Sequence, residues 1–307
     1  MNSPTNRREM LKASAAMAAM IALRPAQIAS ASGGSRADPD RARLDAWAAK
    51  LRAERAVRSG TPFGRDAIRV GELAAGTPYV AGTLDAYLRS DRRASRREPL
   101  TLSLSRFDCV TLVEGCLGVA RAEAHQASPS WNRFGREIER MRYRGGERIG
   151  YASRLHYFSE WISDGEARGL VRDIGPGLGA VDDVRPLRFM TEHRSSYPAL
   201  KDERVFREIA ALERRLDVRP RRLIPRDRIA AVAEQIQSGD VLAFATSIPG
   251  LDVSHAAFAY RGAADTLGVL HAPLSGGVVE IARAPLAEYV AAITRCTGIL
   301  VARPQRA

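Results

Sequence analysis

The chain has 307 residues, of which 45% are hydrophobic and 27% are charged, so it has the composition of an ordinary globular protein and can bury a substantial core. No apolar run approaches the roughly 18 residues that a membrane-spanning helix needs. The formal net charge is +12 and comes almost entirely from arginine. Because these arginines are scattered among acidic residues and no nucleic-acid-binding module is recognisable, we interpret the charge as a solvated basic surface and expect no nucleic-acid partner.

The first 31 residues follow the order of an export signal. The Arg7-Arg8 pair and Lys12 precede an apolar stretch over residues 13–23, and the small-residue site Ala29-Ser30-Ala31 follows. The arginine pair resembles the twin-arginine export class. We therefore predict a twin-arginine-type signal peptide over residues 1–31, the twin-arginine export machinery as a partner, and an exported, periplasmic protein without a stable membrane anchor. The alternative is an amphipathic N-terminal helix, which this segment disfavours because it lacks a polar face.

The periodicity of apolar residues predicts a first part rich in helices and a C-terminal part rich in strands. Helices are predicted over residues 40–58, 66–74, 108–123, 131–142, 155–162, 202–216 and 286–293. Residues 100–104 alternate and predict an isolated strand, whereas the glycine-containing stretch 170–194 favours hairpin or loop. C-terminal strands are predicted over residues 241–245, 254–260, 267–272, 278–281 and 298–301. Helices followed by an antiparallel sheet indicate an α+β fold.

Cys109 lies at the position where a cysteine is most easily activated. It follows Asp108, a good N-cap residue, and opens an apolar helical pattern. The unpaired N–H groups and the dipole of a helix start favour the thiolate and are expected to lower the thiol pKa. The same N–H groups can bind the oxyanion of an attacked carbonyl. Cys109 is therefore a candidate nucleophile; the alternative is a small buried hydrophobic residue.

Two further cysteines, Cys116 and Cys296, are predicted to be structural. Cys116 lies seven residues after Cys109, in the middle of the predicted helix among apolar neighbours, and Cys296 precedes the last predicted strand. An odd number of cysteines leaves at least one thiol free unless chains pair with each other. The sequence leaves open whether Cys116 and Cys296 form a disulfide.

Two histidines, His255 and His271, lie on adjacent predicted strands. If these strands form a hairpin centred on Ala263, the two histidines face each other on one side of the sheet, where opposed Cβ atoms are about 4.5–5.5 Å apart. His271 would then orient the His255 ring for proton transfer. A slip of one residue in register would put them on opposite faces. The alternative is a zinc site, but no third ligand of a fitting type lies nearby in sequence, so we expect no metal.

These residues belong to motifs that resemble those of NlpC-type cell-wall cysteine hydrolases, which are papain-like α+β domains. The motifs occur in the order of that group and are Thr77-Pro78-Tyr79, Phe107-Asp108-Cys109-Val110-Thr111, Ser238-Gly239-Asp240-Val241, Ser254-His255-Ala256 and Leu270-His271-Ala272. A closer resemblance, to the N-acetylmuramoyl-L-alanine amidase-like branch, is carried by residues 154–158, 250–255 and 298–301. It spans roughly residues 60–305 and departs from the pattern at Pro273, where relatives usually have serine.

The resemblance implies a fold and a domain organisation. The fold is an α+β, papain-like domain in which N-terminal helices, including the helix that carries Cys109, pack on a C-terminal antiparallel sheet. The organisation is a signal peptide over residues 1–31, a helical extension over residues 32–60 and a cysteine hydrolase domain over residues 61–307.

The resemblance also implies roles for particular residues. Cys109 is expected to be the nucleophile, His255 the general base and His271 the orienting residue. Tyr79 matches a tyrosine that lines the site and assists the oxyanion or holds the substrate. Asp108 matches a residue that accepts a free amino terminus of the stem peptide in some relatives, although a helix cap would use the same carboxylate.

A second group of residues, Arg154, His156, Tyr157 and Trp161, falls on one predicted helix. Aromatic residues at helical spacing are more often part of a core than of a site. We therefore assign them no role beyond a wall of the pocket.

The resemblance predicts an enzyme, a cysteine hydrolase that acts on an amide bond of peptidoglycan or muropeptides without metal or organic cofactor. The amidase-like branch implies cleavage of the muramoyl–L-alanine amide, and the wider group implies a γ-D-glutamyl stem-peptide endopeptidase. Two alternatives from other classes are a non-catalytic cell-wall binding module and an acyltransferase. The binding module is disfavoured because it has no need of Cys109, His255 and His271 together.

Overall fold

The structure is a computed structural model that describes residues 38–55, 62–89, 97–124, 130–274 and 277–306. The predicted signal peptide lies outside the described residues. The α-helices are α1 (Pro39–Arg55), α2 (Phe63–Leu73), α3 (Cys109–Ala124), α4 (Trp131–Arg142), α5 (Phe158–Ala167), α6 (Phe189–Glu192), α7 (Glu203–Leu216), α8 (Ile229–Val232) and α9 (Leu286–Ala292). The strands are β1 (Val171–Asp173), β2 (Val181–Asp183), β3 (Arg221–Pro225), β4 (Val241–Thr246), β5 (Val253–Arg261), β6 (Leu267–His271), β7 (Glu280–Ile281) and β8 (Cys296–Pro304).

The strands form one antiparallel sheet in the order β2-β3-β8-β4-β5-β6-β7, and β1 also pairs with β8. Strand β4 lies at the centre, and each of its six residues is buried. A continuous apolar run such as this one is typical of a strand that is covered on both faces. The α+β class predicted from the sequence is therefore confirmed.

A hydrophobic cluster lies on each face of the sheet. On the first face, Val113 and Leu117 of α3 pack with Phe258 of β5, and helices α1, α2, α4 and α5 complete this cluster. On the second face, Phe244 of β4 packs with Leu286 of α9 and with other residues of β5, β6 and β8. Because side chains alternate along a strand, neighbouring residues of β4 and β5 contribute to different clusters. The helix that begins at Cys109 is thus anchored on the first face.

The sequence-based prediction of helices is largely confirmed, and the prediction of a strand over residues 100–104 is wrong. That segment is extended but forms no β-ladder. Its backbone groups bond to side chains instead: Leu104 N–H donates to Asp40 Oδ1 at 2.9 Å, and Arg142 Nη1 donates to Thr101 O at 2.6 Å. These side chains replace a partner strand, because buried backbone groups need a partner of some kind.

The stretch over residues 170–194 differs in part from the predicted hairpin or loop. It contains the short strands β1 and β2, but these pair with β8 and β3 rather than with each other. Strand β3, which the sequence pattern did not reveal, joins β2 to the rest of the sheet. In the described part of the chain, no helix is long and apolar enough to cross a membrane.

The turn before β4 depends on a close approach of two backbones. Gly239 has φ of +94°, and a Cβ atom placed there would lie 2.2 Å from the carbonyl oxygen of Gly64 in α2. Both the left-handed backbone and the contact with α2 require glycine. This turn therefore fixes where the central strand begins relative to the helical layer.

Gly239→Ala is expected to lower the free energy of unfolding by about 2–4 kcal/mol, because the added methyl group forces the two backbones apart. Gly169→Ala is the matched control: its φ is +69° and the space around it is open, so we expect a loss of about 1 kcal/mol from the backbone alone. Denaturant unfolding of both variants measures the difference. Equal losses would contradict the role of the close approach.

Candidate functional site

Cys109 is the first residue of α3, and the adjacent residues fix where this helix begins. Thr111 N–H donates to Asp108 Oδ1 at 2.8 Å, and the Thr111 hydroxyl donates to the same oxygen at 2.9 Å. In return, Asp108 N–H donates to Thr111 Oγ1 at 2.8 Å. This reciprocal cap satisfies backbone N–H groups of the first turn. Asp108 Oδ2 accepts no hydrogen bond from the described residues.

Tyr79 is held beside this helix start by a bridge between two chain segments. The N–H group of Phe107 donates to Pro78 O at 3.0 Å, and the Phe107 ring is buried in the first cluster. The Tyr79 phenol is half-buried. Burial raises its pKa, and the nearby Cys109 and Asp108 raise it further. Three of the predicted site residues, Tyr79, Asp108 and Cys109, are therefore neighbours.

The Cys109 thiol is half-buried, and its environment acts on its pKa in both directions. Burial and the charge of Asp108 raise the pKa to about 12, whereas hydrogen bonds from the backbone N–H groups of Ala256, Val110 and Cys109 itself lower it. The N–H groups at the helix start lower the thiol pKa, as predicted. The prediction that the thiol pKa is lowered overall is wrong. Desolvation of the charged form outweighs the N–H groups. Burial therefore favours the neutral thiol over the thiolate.

His255 and His271 meet on the second face of the sheet. His255 Nε2 lies 2.9 Å from His271 Nδ1, and the two rings are nearly perpendicular, with centroids 5.1 Å apart. His255 also stacks on Phe244, its partner on β4. Burial lowers the pKa of His255 to about 3, with a further contribution from His271, and burial lowers that of His271 to about 4. Both imidazoles are therefore neutral at pH 7.

The histidines come together through a register that differs from the predicted one. The structure pairs Ala259 with Val269 and Phe258 with Leu270, so the hairpin is centred one residue beyond Ala263. His271 therefore lies diagonally across from His255 rather than directly opposite. The register is shifted by two residues, which preserves the face because side chains alternate with a period of two. Diagonal neighbours remain within reach of aromatic side chains.

The thiol and the histidine pair adjoin each other at the end of the sheet where β5 begins and β6 ends. The N–H group that β5 directs at Cys109 belongs to Ala256, the residue that follows His255. The thiol also contributes to the raised pKa of Tyr289, whose hydroxyl lies 3.3 Å from His271 Nδ1. His255 Nε2 faces His271, so the contact between the two rings does not involve Nδ1 of His255.

Sequence reasoning missed two residues of this cluster. Tyr289 of α9 contacts the edge of the His271 ring, with centroids 5.2 Å apart, and Glu280 of β7 is the register partner of His271. Neither lies in a motif or in a periodic pattern that marks a site. Only the packing of α9 and β7 against β6 brings them there.

The residues at 154–161 do not share one helix, so that prediction is wrong. Helix α5 begins at Phe158, and of the four residues singled out only Trp161 lies on it. Arg154 is buried between Asp85 and Glu98, at 2.6 and 3.0 Å. Arg154 and Tyr157 both have extended backbone conformations before α5 begins.

The other two members of that group also make structural contacts. His156 Nε2 lies 2.9 Å from Tyr151 O, and Tyr157 donates to Glu213 at 2.7 Å. Both side chains thus have hydrogen-bond partners within the fold. We assign them a structural role.

Cys116 and Cys296 are both buried and free, and they belong to the clusters on opposite faces of the sheet. The disulfide left open by the sequence is therefore absent. Burial raises the pKa of both thiols. Among the described residues, no group of three His, Cys, Asp or Glu side chains is arranged to hold a metal ion.

Comparison with solved structures identifies several similar proteins. An N-acetylmuramoyl-L-alanine amidase from Bacteroides uniformis is 28% identical, with a TM-score of 0.71, and the match covers 79% of this chain and 99% of that one. A proposed xylanase from Bacteroides fragilis is 31% identical, with a TM-score of 0.69 over 76% of this chain and 99% of that one. A Legionella pneumophila protein shares the fold at 20% identity and a TM-score of 0.59, over 86% of this chain and 96% of that one.

The curated proteins include no match to the chain. The model of one protein family, the N-acetylmuramoyl-L-alanine amidase-like or AmiA-like family, matches residues 69–299. This range contains both the helix start at Cys109 and the histidine pair. The chain therefore belongs to the N-acetylmuramoyl-L-alanine amidase-like family.

Proposed function

We propose that this protein is an exported cysteine amidohydrolase that cleaves an amide bond of peptidoglycan or of muropeptides. Cys109 is the nucleophile, His255 the general base and His271 the residue that orients His255. The observation that carries the proposal is a thiol at a helix start that receives a backbone N–H from β5 beside a neutral, hydrogen-bonded imidazole pair. Membership of an amidase-like family supports the reaction class.

Burial favours the neutral form of both groups before substrate binds. A neutral imidazole can accept a proton, and a neutral thiol becomes a strong nucleophile once its proton leaves. His255 Nδ1 takes the Cys109 proton as the sulfur attacks the carbonyl carbon. The proton transfer and the attack are thus coupled, and no thiolate has to exist in the resting enzyme.

The tetrahedral intermediate carries its negative charge on the former carbonyl oxygen. The N–H groups at the start of α3 are the nearest preorganised donors, and the Tyr79 hydroxyl supplies a further one. Burial keeps the pKa of this phenol high, so Tyr79 remains a donor at neutral pH. In the resting state, these N–H groups only partly offset the desolvation of the thiol. In the transition state, they donate to the oxyanion.

Collapse of the intermediate breaks the C–N bond and forms a thioester with Cys109. His255 returns its proton from Nδ1 to the leaving amine. A water molecule then attacks the thioester, and His255 takes a proton from this water and returns it to the sulfur. The products are a carboxylic acid and an amine, and the enzyme regains its neutral pair.

The muramoyl–L-alanine amide is the bond that we propose. The family and the Bacteroides uniformis amidase carry this activity in their names. The stem peptides attached to this bond are rich in carboxylates, which a chain of net charge +12 attracts. Export as a folded protein through the twin-arginine machinery delivers such an enzyme to its substrate outside the cytoplasm. The arrangement of cysteine helix and histidine-bearing sheet also fits the papain-like fold that the NlpC-type resemblance implies.

A second candidate is a γ-D-glutamyl stem-peptide endopeptidase, and one observation favours it. The cap at α3 uses only Oδ1 of Asp108, so Oδ2 remains available to bind the free amino terminus of a stem peptide. Asp108 can therefore cap the helix with one carboxylate oxygen and accept a free amino terminus with the other. A glycosidase, as suggested for the Bacteroides fragilis protein, is disfavoured because glycoside hydrolysis uses a pair of carboxylates rather than a thiol and an imidazole.

Replacing the proposed nucleophile or base is expected to abolish turnover. Cys109→Ala and His255→Ala should each lower kcat/KM by at least about 10³-fold, because each removes a group that acts in the bond-breaking step. Cys116→Ala is the matched control, since this thiol of the same helix is buried in the first cluster, and its activity should be retained. Turnover of purified muropeptides measures all three. Full activity of Cys109→Ala would reject cysteine catalysis, whereas a lack of turnover by the wild type would favour the binding module.

Mass spectrometry of the products identifies the bond. Incubation of purified disaccharide–tetrapeptide muropeptides should release an intact tetrapeptide with a free L-alanine amino terminus and a disaccharide that retains the muramic acid carboxylate. Release of an L-alanyl-D-glutamate dipeptide product from stem peptides with a free amino terminus would instead establish the endopeptidase. Absence of product from both the muropeptides and the free stem peptides, with wild-type protein, would contradict both activities.

A further inference from the structure

The histidine pair ends at a buried nitrogen that has no hydrogen bond. His271 Nε2 is inaccessible to solvent and accepts or donates no hydrogen bond among the described residues. Its nearest charged neighbour is Glu280 Oε1, at 3.8 Å. Glu280 is the register partner of His271 on β7, and its side chain is 46% exposed. A partly exposed carboxylate at the sheet edge thus lies just beyond hydrogen-bond distance of a buried ring nitrogen.

The protonation of the other ring nitrogens determines whether His271 Nε2 carries a proton. For His255 to accept the thiol proton at Nδ1, its own proton must be on Nε2. This Nε2–H group then donates to His271 Nδ1, which must be the unprotonated nitrogen of that ring. A neutral imidazole carries one proton, so the proton of His271 is on Nε2. The buried nitrogen without a partner is therefore a donor, and it faces Glu280.

Tyr289 lies on the same side of His271 as His255. Its hydroxyl lies 3.3 Å from His271 Nδ1, the nitrogen that already faces His255. The ring stands nearly perpendicular to His271, at 85°. If the phenol donates, it adds a second donor to an unprotonated Nδ1; a protonated Nδ1 would give up the donor from His255. Side chains from β5, α9 and β7 thus surround His271, and a proton on Nε2 is compatible with all three.

We propose that Glu280 is a positioning residue that holds the proton of His271 on Nε2 and thereby keeps Nδ1 as the acceptor for His255. The inference rests on the proposed function, since it deepens the role of His255 as general base. Without the carboxylate, the buried Nε2–H donor lacks a partner, which penalises this tautomer relative to the one with the proton on Nδ1. In the alternative tautomer, His271 Nδ1–H donates to His255 Nε2, so the proton of the neutral His255 ring is on Nδ1 and this nitrogen cannot accept the thiol proton.

The direct test is the tautomer of His271, measured by two-bond ¹H–¹⁵N correlation NMR on protein with ¹⁵N-labelled histidine. In the wild type, and in Glu280→Gln, where the amide oxygen still accepts, His271 should carry its proton on Nε2. In Glu280→Leu, the Nδ1-protonated form should become populated. His271→Gln assigns the signal. This measurement does not require turnover, so it separates failure of the inference from failure of the proposed function.

Kinetics provide the second readout. Glu280→Leu is expected to lower kcat about tenfold with KM unchanged, which corresponds to the loss of one hydrogen bond to a neutral group, whereas Glu280→Gln should restore most of kcat. Glu288→Leu is the matched control, because it removes the same charge from an exposed residue next to Tyr289. Thermal unfolding of each variant separates a local effect from a loss of fold.

Two results would overturn the inference. One is an Nδ1-protonated His271 in the wild type. The other is a Glu280→Leu variant in which the tautomer and kcat are both those of the wild type. A loss of kcat that Glu280→Gln does not restore, with the tautomer unchanged, would likewise assign Glu280 a role other than the one proposed.

Discussion

The hydrogen bond between His255 and His271 determines the character of this site. Two imidazoles at 2.9 Å, one buried and one half-buried, must share their protons in a fixed order, because a charge on either ring costs desolvation and repels the other. Their lowered pKa values, about 3 and about 4, express this cost. The same burial raises the pKa of Cys109 to about 12. The resting state of the cluster is therefore uncharged, and its chemistry begins with a proton transfer rather than with a preformed thiolate.

The fold supports this arrangement from both faces of the sheet. Helix α3 is packed on the first face and begins where Asp108 and Thr111 cap each other, which fixes the position of the thiol. The histidines lie on the second face, where Phe244 stacks on one ring and Tyr289 contacts the other. The two parts meet near the start of β5, through the N–H group of Ala256. Because both faces are densely packed, side chains at this strand end have little freedom to reorient.

Local patterns predicted those parts of the structure that depend on neighbouring residues. Helix α4 spans the predicted residues 131–142, because its apolar spacing and the Ser130 cap are local signals. The histidine pair was predicted despite a wrong register, since a shift of two residues leaves side chains on the same face. The register itself depends on the turn, where Asp265 adopts a left-handed conformation that the sequence pattern did not specify.

Properties that depend on distant packing were not predictable in the same way. The helix start at Cys109 indicated a lowered pKa, but the opposing desolvation comes from β5 and from the segment that carries Tyr79, both remote in sequence. Glu280 and Tyr289 reach His271 only because β7 and α9 pack against β6. The segment over residues 100–104 alternates like a strand, yet side chains such as Asp40 and Arg142 satisfy its backbone in place of a partner strand.

The pH dependence of Cys109 alkylation tests the uncharged resting state most directly. Iodoacetamide reacts with the thiolate, so its second-order rate constant follows the fraction of thiol that is ionised. The thiol pKa is raised and the His255 pKa is lowered, so the rate should remain low from pH 5 to pH 8 and should still be rising at pH 10. A plateau between pH 5 and pH 7 in the wild type, lost in His255→Ala, would show a thiolate–imidazolium pair and would contradict the account.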